Sequence, residues 1–120
     1  MVLVDTSVWI DHFRKADPLL ARLLRAGAVA SHGCVIGELA LGHLRERATI
    51  LELLQALPSF PTLSDASVLE FVRDAELAGT GVGWVDAHLL AAVNTAREGR
   101  LLTADTRLRS VAMRLGLFVT

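Results

Sequence analysis

The feature that most constrains this chain is the alternation of very short apolar runs with longer segments of helical periodicity. The first run, residues 2–4, stops at Asp5, Thr6 and Ser7, which are residue types that favour a helix start. Comparable runs lie at 28–31, 101–103 and 117–119. Short strands that alternate with helices predict parallel strands joined by helical crossovers. We therefore expect an α/β fold, a three-layer α/β/α sandwich around a short, mainly parallel sheet.

The segments between these runs are predicted to be helices. Their apolar spacing, capping residues and terminal glycines give the predicted helices 8–13, 18–26, 33–42, 47–57, 65–78, 84–98 and 106–115. Pro58 and Pro61 mark a loop and not a domain boundary, since the flanking helices are too short to stand alone. With 120 residues, the chain is expected to form one domain over 1–120.

Composition limits the classes of protein that this chain can belong to. Apolar residues make up 52% of it and the mean hydropathy is +0.47, but no unbroken apolar stretch reaches about 18 residues. Asp5 and the polar residues soon after it are unlike a signal peptide, so a cytoplasmic location is expected. The single cysteine, Cys34, cannot form an internal disulfide and is expected in the core.

The charge balance does not by itself indicate nucleic-acid binding. Twelve basic and thirteen acidic residues give a net charge of −1, whereas many nucleic-acid-binding domains are strongly basic. All the basic residues except Lys15 are arginine, the better bidentate partner for phosphate, although codon usage of a GC-rich genome is the preferred explanation of this bias. The high apolar fraction also suggests that a protein partner covers part of the surface.

Two aspartates directly follow predicted strands. Asp5 comes after 2–4 and Asp105 comes shortly after 101–103. Ligands of parallel α/β sheets bind at the carboxyl ends of the strands, so both side chains are expected at that one edge.

Two further acids lie in line with apolar helix positions. Glu38 is three residues from both Val35 and Leu41, which predicts that its carboxylate faces the core side. Asp86 is spaced with Leu89, Leu90 and Val93 near the start of a predicted helix. Acids are seldom buried without partners, so both positions are unusual.

We call Asp5, Glu38, Asp86 and Asp105 the acidic cluster. One pair of carboxylates about 4 Å apart repels by roughly 4 kcal/mol at an effective dielectric constant of 20. No lysine or arginine adjoins Glu38 or Asp86 in the sequence, and oxygen ligands suit Mg²⁺ or Mn²⁺. The acids therefore predict a metal site, which suits phosphodiester hydrolysis because such a metal stabilises charge on phosphoryl and leaving oxygens.

Four segments together carry a resemblance to a known family: Val4-Asp5-Thr6-Ser7-Val8-Trp9-Ile10, Gly37-Glu38-Leu39, 85–92 (VDAHLLAA) and Leu102-Thr103-Ala104-Asp105. In order, spacing and total length the chain resembles the PIN-domain ribonucleases, specifically VapC-type toxins of type II toxin–antitoxin pairs. The resemblance covers the whole chain, with no departure at the four acids.

The resemblance implies a Mg²⁺- or Mn²⁺-dependent endoribonuclease that cuts structured RNA, such as transfer or ribosomal RNA, to 5′-phosphate and 3′-hydroxyl ends. Asp5 and Asp86 would be the principal metal ligands, and Glu38 and Asp105 would complete the cluster or hold water on the metal. Thr6 and Thr103 would orient these acids. A VapB-type antitoxin and a homodimer are also implied.

Each acid also has an ordinary structural interpretation. Asp5 and Asp105 precede helices and could act as N-caps, and Asp105 could pair with Arg109. Glu38 is a surface residue if the helix phase is displaced by one position. Asp86 could stabilise the helix dipole in a first turn.

Two rival functions remain open at this point. A phosphatase with Asp5 as nucleophile would need an acid at position 7, where this chain has Ser7, and a later lysine than Lys15. A non-catalytic PIN-like module would bind RNA or protein without cutting.

Several other residue types are given no functional role. The glycines at 79, 81 and 83 favour a plain loop, and the four histidines favour core or surface positions. The two tryptophans favour packing over base stacking. Arginines 14, 97, 107 and 109 could contact RNA phosphates, although a solvated face is the more ordinary interpretation.

Overall fold

A computed structural model describes residues 1–119 of the chain. It contains a sheet of three short strands: β1 (Val2–Val4), β2 (Val29–Ala30) and β3 (Arg100–Leu102). The helices are α1 (Thr6–Arg14), α2 (Pro18–Arg25), α3 (Gly33–Leu41), α4 (Arg47–Ala56), α5 (Asp65–Asp74), α6 (Trp84–Asn94) and α7 (Thr106–Arg114). No helix within the described residues is long and apolar enough to cross a membrane.

The sheet is parallel, with β1 at its centre and strand order β2-β1-β3. Leu3 pairs with Ala30 on one side and with Leu101 on the other. Every residue of β1 is buried, which requires cover on both faces of the sheet. The chain runs from β1 to β2 on one side and then passes β1 to reach β3 on the other side. Because crossovers between parallel strands are right-handed, these two connections place their helices on opposite faces of the sheet. The predicted α/β sandwich is thus confirmed.

The core is built mainly from the strands and from α6. Seven consecutive residues of α6, from Ala87 to Val93, are buried, and Leu3, Leu89, Leu90 and Leu101 are fully enclosed. This agrees with the apolar pattern of 84–98. The helix ends at Asn94, however, four residues earlier than predicted. Gly99 explains the change, because the chain folds back so closely that a Cβ at this position would lie 2.4 Å from the Val93 carbonyl oxygen.

Two other predictions differ from the structure by more than one or two residues at the end of an element. The helix predicted over 65–78 ends at Asp74, because Glu76 adopts a left-handed φ of 54° and the Leu77 amide returns to the Val72 carbonyl. The strand predicted over 117–119 is only a single parallel bridge between Leu101 and Phe118. It lies at the end of the described chain, with too few paired residues to extend the sheet.

Candidate metal centre

Asp5 directly follows β1, and its side chain is buried, with 7% of its surface exposed. Its Oδ2 accepts hydrogen bonds from the Thr103 hydroxyl at 2.6 Å and from the Ser7 hydroxyl at 3.0 Å. Asp5 occupies the N-cap position of α1, yet its carboxylate accepts no capping hydrogen bond from the described residues of that helix. Asp5 is thus the N-cap residue by backbone position only, and two hydroxyls fix its carboxylate instead.

Ser7 is a part of this arrangement that the sequence did not identify. Besides donating to Asp5, its hydroxyl oxygen accepts a hydrogen bond from the Ala104 amide at 3.3 Å. The Asp105 amide in turn donates to the Thr103 hydroxyl oxygen at 3.1 Å. These bonds join the segments that follow β1 and β3, so the two strand ends hold Asp5 between them.

Glu38 lies on α3, and the Thr6 hydroxyl donates to its Oε1 at 2.7 Å. The prediction that Glu38 faces the core side is wrong, because the residue is exposed and Leu41, used to set the helix phase, is 91% exposed. Val35 and Leu39 form the buried stripe of α3, and Glu38 lies on its flank. The flank position takes the carboxylate to the start of α1, beside Asp5.

Asp86 and Asp105 each lie at a helix start and accept a backbone hydrogen bond there. The half-buried Asp86 accepts from the Gly83 amide through Oδ2 at 3.2 Å, in the first turn of α6. The exposed Asp105 caps α7, accepting from the Leu108 amide through Oδ1 at 2.9 Å. The ordinary capping interpretation is thus correct for Asp105, and Asp86 has the expected first-turn position. Neither role occupies the second oxygen of the carboxylate.

The electrostatics of Asp86 show that the four acids share one region. Burial raises the pKa of Asp86, the hydrogen bond from Gly83 lowers it, and the negative charges of Asp5, Asp105 and Glu38 raise it further. Four acids far apart in the sequence therefore act on one another through space. Their charges, together with burial, oppose the ionisation of Asp86.

The hydrogen bonds leave each acid with one available oxygen. Within residues 1–119, Asp5 and Asp86 have no hydrogen bond to Oδ1, Glu38 has none to Oε2 and Asp105 has none to Oδ2. No three acidic, histidine or cysteine side chains of this described range already converge as a ready-made metal site. Even so, an all-oxygen donor set with one oxygen fixed and one available per carboxylate fits Mg²⁺ or Mn²⁺.

Two buried histidines belong to the helices that carry Glu38 and Asp86. His32 caps α3 by accepting a hydrogen bond at Nδ1 from the Cys34 amide at 3.0 Å. Burial first, and the proximity of His88 second, lower the pKa of His32, so its imidazole is neutral. His88, two residues beyond Asp86, lies 3.5 Å from Asp65 through Nε2. The proximity of His32 and His88 could not be predicted from the sequence, because it depends on how α3 packs against α6.

Cys34 is not a nucleophile of this site. Burial, and then the negative charge of Glu38, raise the pKa of the Cys34 thiol. The thiol consequently stays protonated at neutral pH and is poorly reactive. Of the groups around Glu38, this leaves the carboxylates themselves as the candidates for chemistry.

Comparison with known proteins shows the family of the chain. The family model described as "PIN domain" matches residues 2–113, and the chain therefore belongs to the PIN-domain family. Within that family it is of the VapC type. It is 44% identical over 117 residues to "Ribonuclease VapC32" of Mycobacterium tuberculosis, both in strain CDC 1551 / Oshkosh and in strain ATCC 25618 / H37Rv. Each alignment covers 98% of this chain and 94% of the relative.

Proposed function

We propose that this protein is a metal-dependent endoribonuclease and the toxin of a toxin–antitoxin pair. The observation that carries the proposal is the four-carboxylate cluster, in which each acid has one hydrogen-bonded and one available oxygen. The VapC relatives, which are named as ribonucleases, support RNA as the substrate. The proposed substrate class is structured RNA, transfer or ribosomal, cut to 5′-phosphate and 3′-hydroxyl ends.

In this proposal Asp5 and Asp86 are the principal ligands of Mg²⁺ or Mn²⁺, and Glu38 and Asp105 complete the site. The bound metal would stabilise negative charge on the phosphoryl and leaving oxygens. Thr103 and Ser7 hold Asp5 by its Oδ2, and Thr6 holds Glu38 by its Oε1, so the chain fixes the orientation of its acids in advance. Fixed orientation lowers the cost of assembling the site when RNA binds.

An antitoxin of the VapB type is the proposed protein partner. A groove of about 960 Å³ adjoins the acidic cluster at Glu38 and is lined by apolar Ile10, Phe13 and Ile50 as well as by Arg14 and Arg45. An apolar segment would complement this lining and would cover Glu38. Substituting Phe13 by Glu should weaken co-purification with the antitoxin, and unchanged co-purification would contradict this assignment of the groove.

We further propose a cytoplasmic protein whose residues 1–120 form one domain and which assembles as a homodimer. Apolar side chains exposed outside the groove, such as Leu53 and Leu69 with 64% and 59% of their surfaces exposed, support burial against a second copy. Sedimentation of the purified protein tests the dimer, because a monomer at micromolar concentration would contradict it.

The decisive experiment compares three proteins on total cellular RNA with Mg²⁺ or Mn²⁺ and with EDTA. They are the wild type, Asp5→Asn, and Asp11→Asn as a matched control at an exposed position of α1. We expect discrete fragments from the wild type and the control with metal, none with EDTA, and a rate lower by about a thousandfold for Asp5→Asn. Cutting by Asp5→Asn at the wild-type rate would contradict the proposal.

The same experiment separates the alternative function. A non-catalytic PIN-like module would shift the mobility of the RNA without cutting it, whether or not metal is present. The hydrogen bonds that hydroxyl groups donate to Asp5 and Glu38 favour the catalytic function over the binding module, because simple RNA binding does not require four oriented carboxylates.

A further inference from the structure

A second cavity lies along α7. Its volume is about 390 Å³, and we call it the α7 pocket; it is lined by Thr80, Thr106, Arg107, Ser110, Val111 and Arg114. Val111 is buried, and the other five lining residues carry hydroxyl or guanidinium groups. The pocket therefore offers hydrogen-bond donors and positive charge, with no acidic side chain in its lining.

Arg107 lies across the loop that precedes α6. Gly81 in that loop has φ +88°, and a Cβ built on it would come within 2.8 Å of Arg107 Cδ. Any side chain at position 81 would displace the arginine, so the glycine permits a close contact between Arg107 and the loop backbone. This packing holds the stem of Arg107 on the wall of the α7 pocket.

The charge of Arg107 is not neutralised by the rest of the described chain. Within residues 1–119 the ion pairs are Arg73 with Asp74 and His88 with Asp65. Arg114, at the other end of the α7 pocket, donates to the carbonyls of Ala75 and Glu76 and so ties α7 to the end of α5. Arg107 is consequently the cation available to a ligand, and Arg114 supports the wall.

The α7 pocket adjoins the acidic cluster through both of its walls. Thr106 directly follows Asp105, and Arg107 lies only about 3 Å along the helix axis from it. On the other wall, Thr80 belongs to the loop that leads to Gly83, whose amide holds Asp86. An acidic cluster repels the phosphates that flank a cut site, so a nuclease requires cations close by to bind them.

We propose that the α7 pocket binds a backbone phosphate of the RNA beside the one that is cut, with Arg107 as its charged ligand and the hydroxyls of Thr106 and Ser110 as further donors. This inference rests on the proposed ribonuclease function. Because a flanking phosphate is bound in both the ground and transition states, the α7 pocket lowers KM and leaves kcat unchanged.

Binding is tested in the Asp5→Asn background, with fluorescein-labelled bulk transfer RNA, Mg²⁺ and KCl from 50 to 200 mM. We expect Arg107→Ala to weaken the Kd about tenfold and to reduce the slope of log K against log salt by about 0.7–0.9. Ser110→Glu, which adds a negative charge to the pocket, should also weaken binding. Arg107→Lys should keep the salt slope. Arg25→Ala removes the same charge at the exposed end of α2 and should change the Kd by less than about twofold.

Kinetics of the same substitutions in the active protein separate this inference from the proposed function. A higher KM with unchanged kcat in Arg107→Ala supports the phosphate site. If the wild type cuts RNA but Arg107→Ala binds and cuts like Arg25→Ala, the inference is overturned while the ribonuclease stands. If the wild type neither binds nor cuts RNA with metal, both fail. Thermal unfolding of each variant verifies that it is folded.

Discussion

The buried strand residues and the polar residues that directly follow them are one position apart, yet they act on stability in opposite directions. Val4 is a fully buried core residue and Asp5 follows it; Leu102 is buried and Thr103 follows it. The strand residues stabilise the fold by leaving water. The residues just beyond them place charge and hydroxyls in a partly desolvated region, which costs stability.

Helix α6 shows the same contrast within one element. Leu89 and Leu90 are fully enclosed, whereas Asp86, one turn earlier, has a pKa raised by burial and by three other acids. The difference teaches that the core fixes where the acids are, and that one of these acids, Asp86, is placed where burial and its neighbours oppose its charge. Substitutions in the two regions should therefore separate stability from activity.

The largest effect is expected in the core. Leu90→Ala removes a fully enclosed side chain and should lower the free energy of unfolding by about 2–5 kcal/mol. RNA cleavage per folded molecule should remain near the wild-type rate. Glu70→Ala, at an exposed residue of α5, is the control and should stay within about 0.5 kcal/mol. Urea denaturation measures both, and equal losses would contradict the core assignment.

At the strand end, Thr103→Val should affect activity more than stability. The change keeps the shape of the side chain but removes the 2.6 Å hydrogen bond to Asp5. We expect cleavage to fall about 10- to 100-fold, as for other groups that orient metal ligands. Thr95→Val removes a hydroxyl that donates to the Ala92 carbonyl at the end of α6, and it should keep wild-type activity. Full activity of Thr103→Val would show that Thr103 does not position Asp5.

A smaller effect of opposite sign is expected at Asp86. Without added metal at neutral pH, Asp86→Asn should raise the free energy of unfolding by about 0.5–2 kcal/mol, because it removes a charge that is disfavoured first by burial and then by three neighbouring acids. It should also reduce cleavage strongly. Chemical denaturation in EDTA measures the gain, and a destabilised Asp86→Asn protein would contradict the cost assigned to the acidic cluster.

The pH dependence of this gain follows from the direction of the pKa shift. Because the pKa of Asp86 is raised by folding, the native state binds more protons than the unfolded state, and Asp86 lowers stability as pH rises through that window. The advantage of Asp86→Asn should thus disappear below about pH 4, where the carboxyl is protonated in both states. An advantage that grows in acid would mean that the sign is wrong.

The smallest expected effect concerns His32, a buried polar residue that supports the fold. The pKa of His32 is lower in the native state than in the unfolded state, so the unfolded state binds a proton at a higher pH. The stability that neutral His32 contributes is therefore fully present above about pH 6.5 and is lost as pH falls through the native pKa. Asn, a good helix cap, can replace the imidazole acceptor. The loss of stability between pH 7.5 and pH 5 should be smaller in His32→Asn than in wild type. It should be unchanged in His43→Asn, a control at an exposed position.

Much of the fold could be predicted from local pattern. The runs at 2–4 and 101–103 became β1 and β3, and Asp17 and Ser64 cap helices through their side chains. The ends of α5 and α6 could not be predicted, since they depend on a left-handed Glu76 and on the close approach of Gly99 to α6. These are tertiary features without a periodic signal.

The candidate site was predictable in proportion to how directly strand geometry fixes each residue. The position of Asp5 can be predicted because the residue directly follows a strand. The predicted orientation of Glu38 depended on a helix phase set by Leu41, which is exposed in the structure. The sequence pattern indicates only a helix start at Ser7. Its hydrogen bonds to Asp5 and from the Ala104 amide could not be predicted, because they require β1 and β3 to be adjacent. The α7 pocket likewise depends on the loop at Gly81.

The central claim, that the acidic cluster binds a divalent metal ion, is tested most directly by thermal unfolding as Mn²⁺ is added. Preferential binding to the native state stabilises it by about 2.7 kcal/mol at a hundredfold excess over Kd. The Tm of the wild type and of Asp11→Asn should therefore rise with Mn²⁺, and the Tm of Asp5→Asn should not. An equal rise in all three proteins, or no rise in the wild type, would contradict the claim.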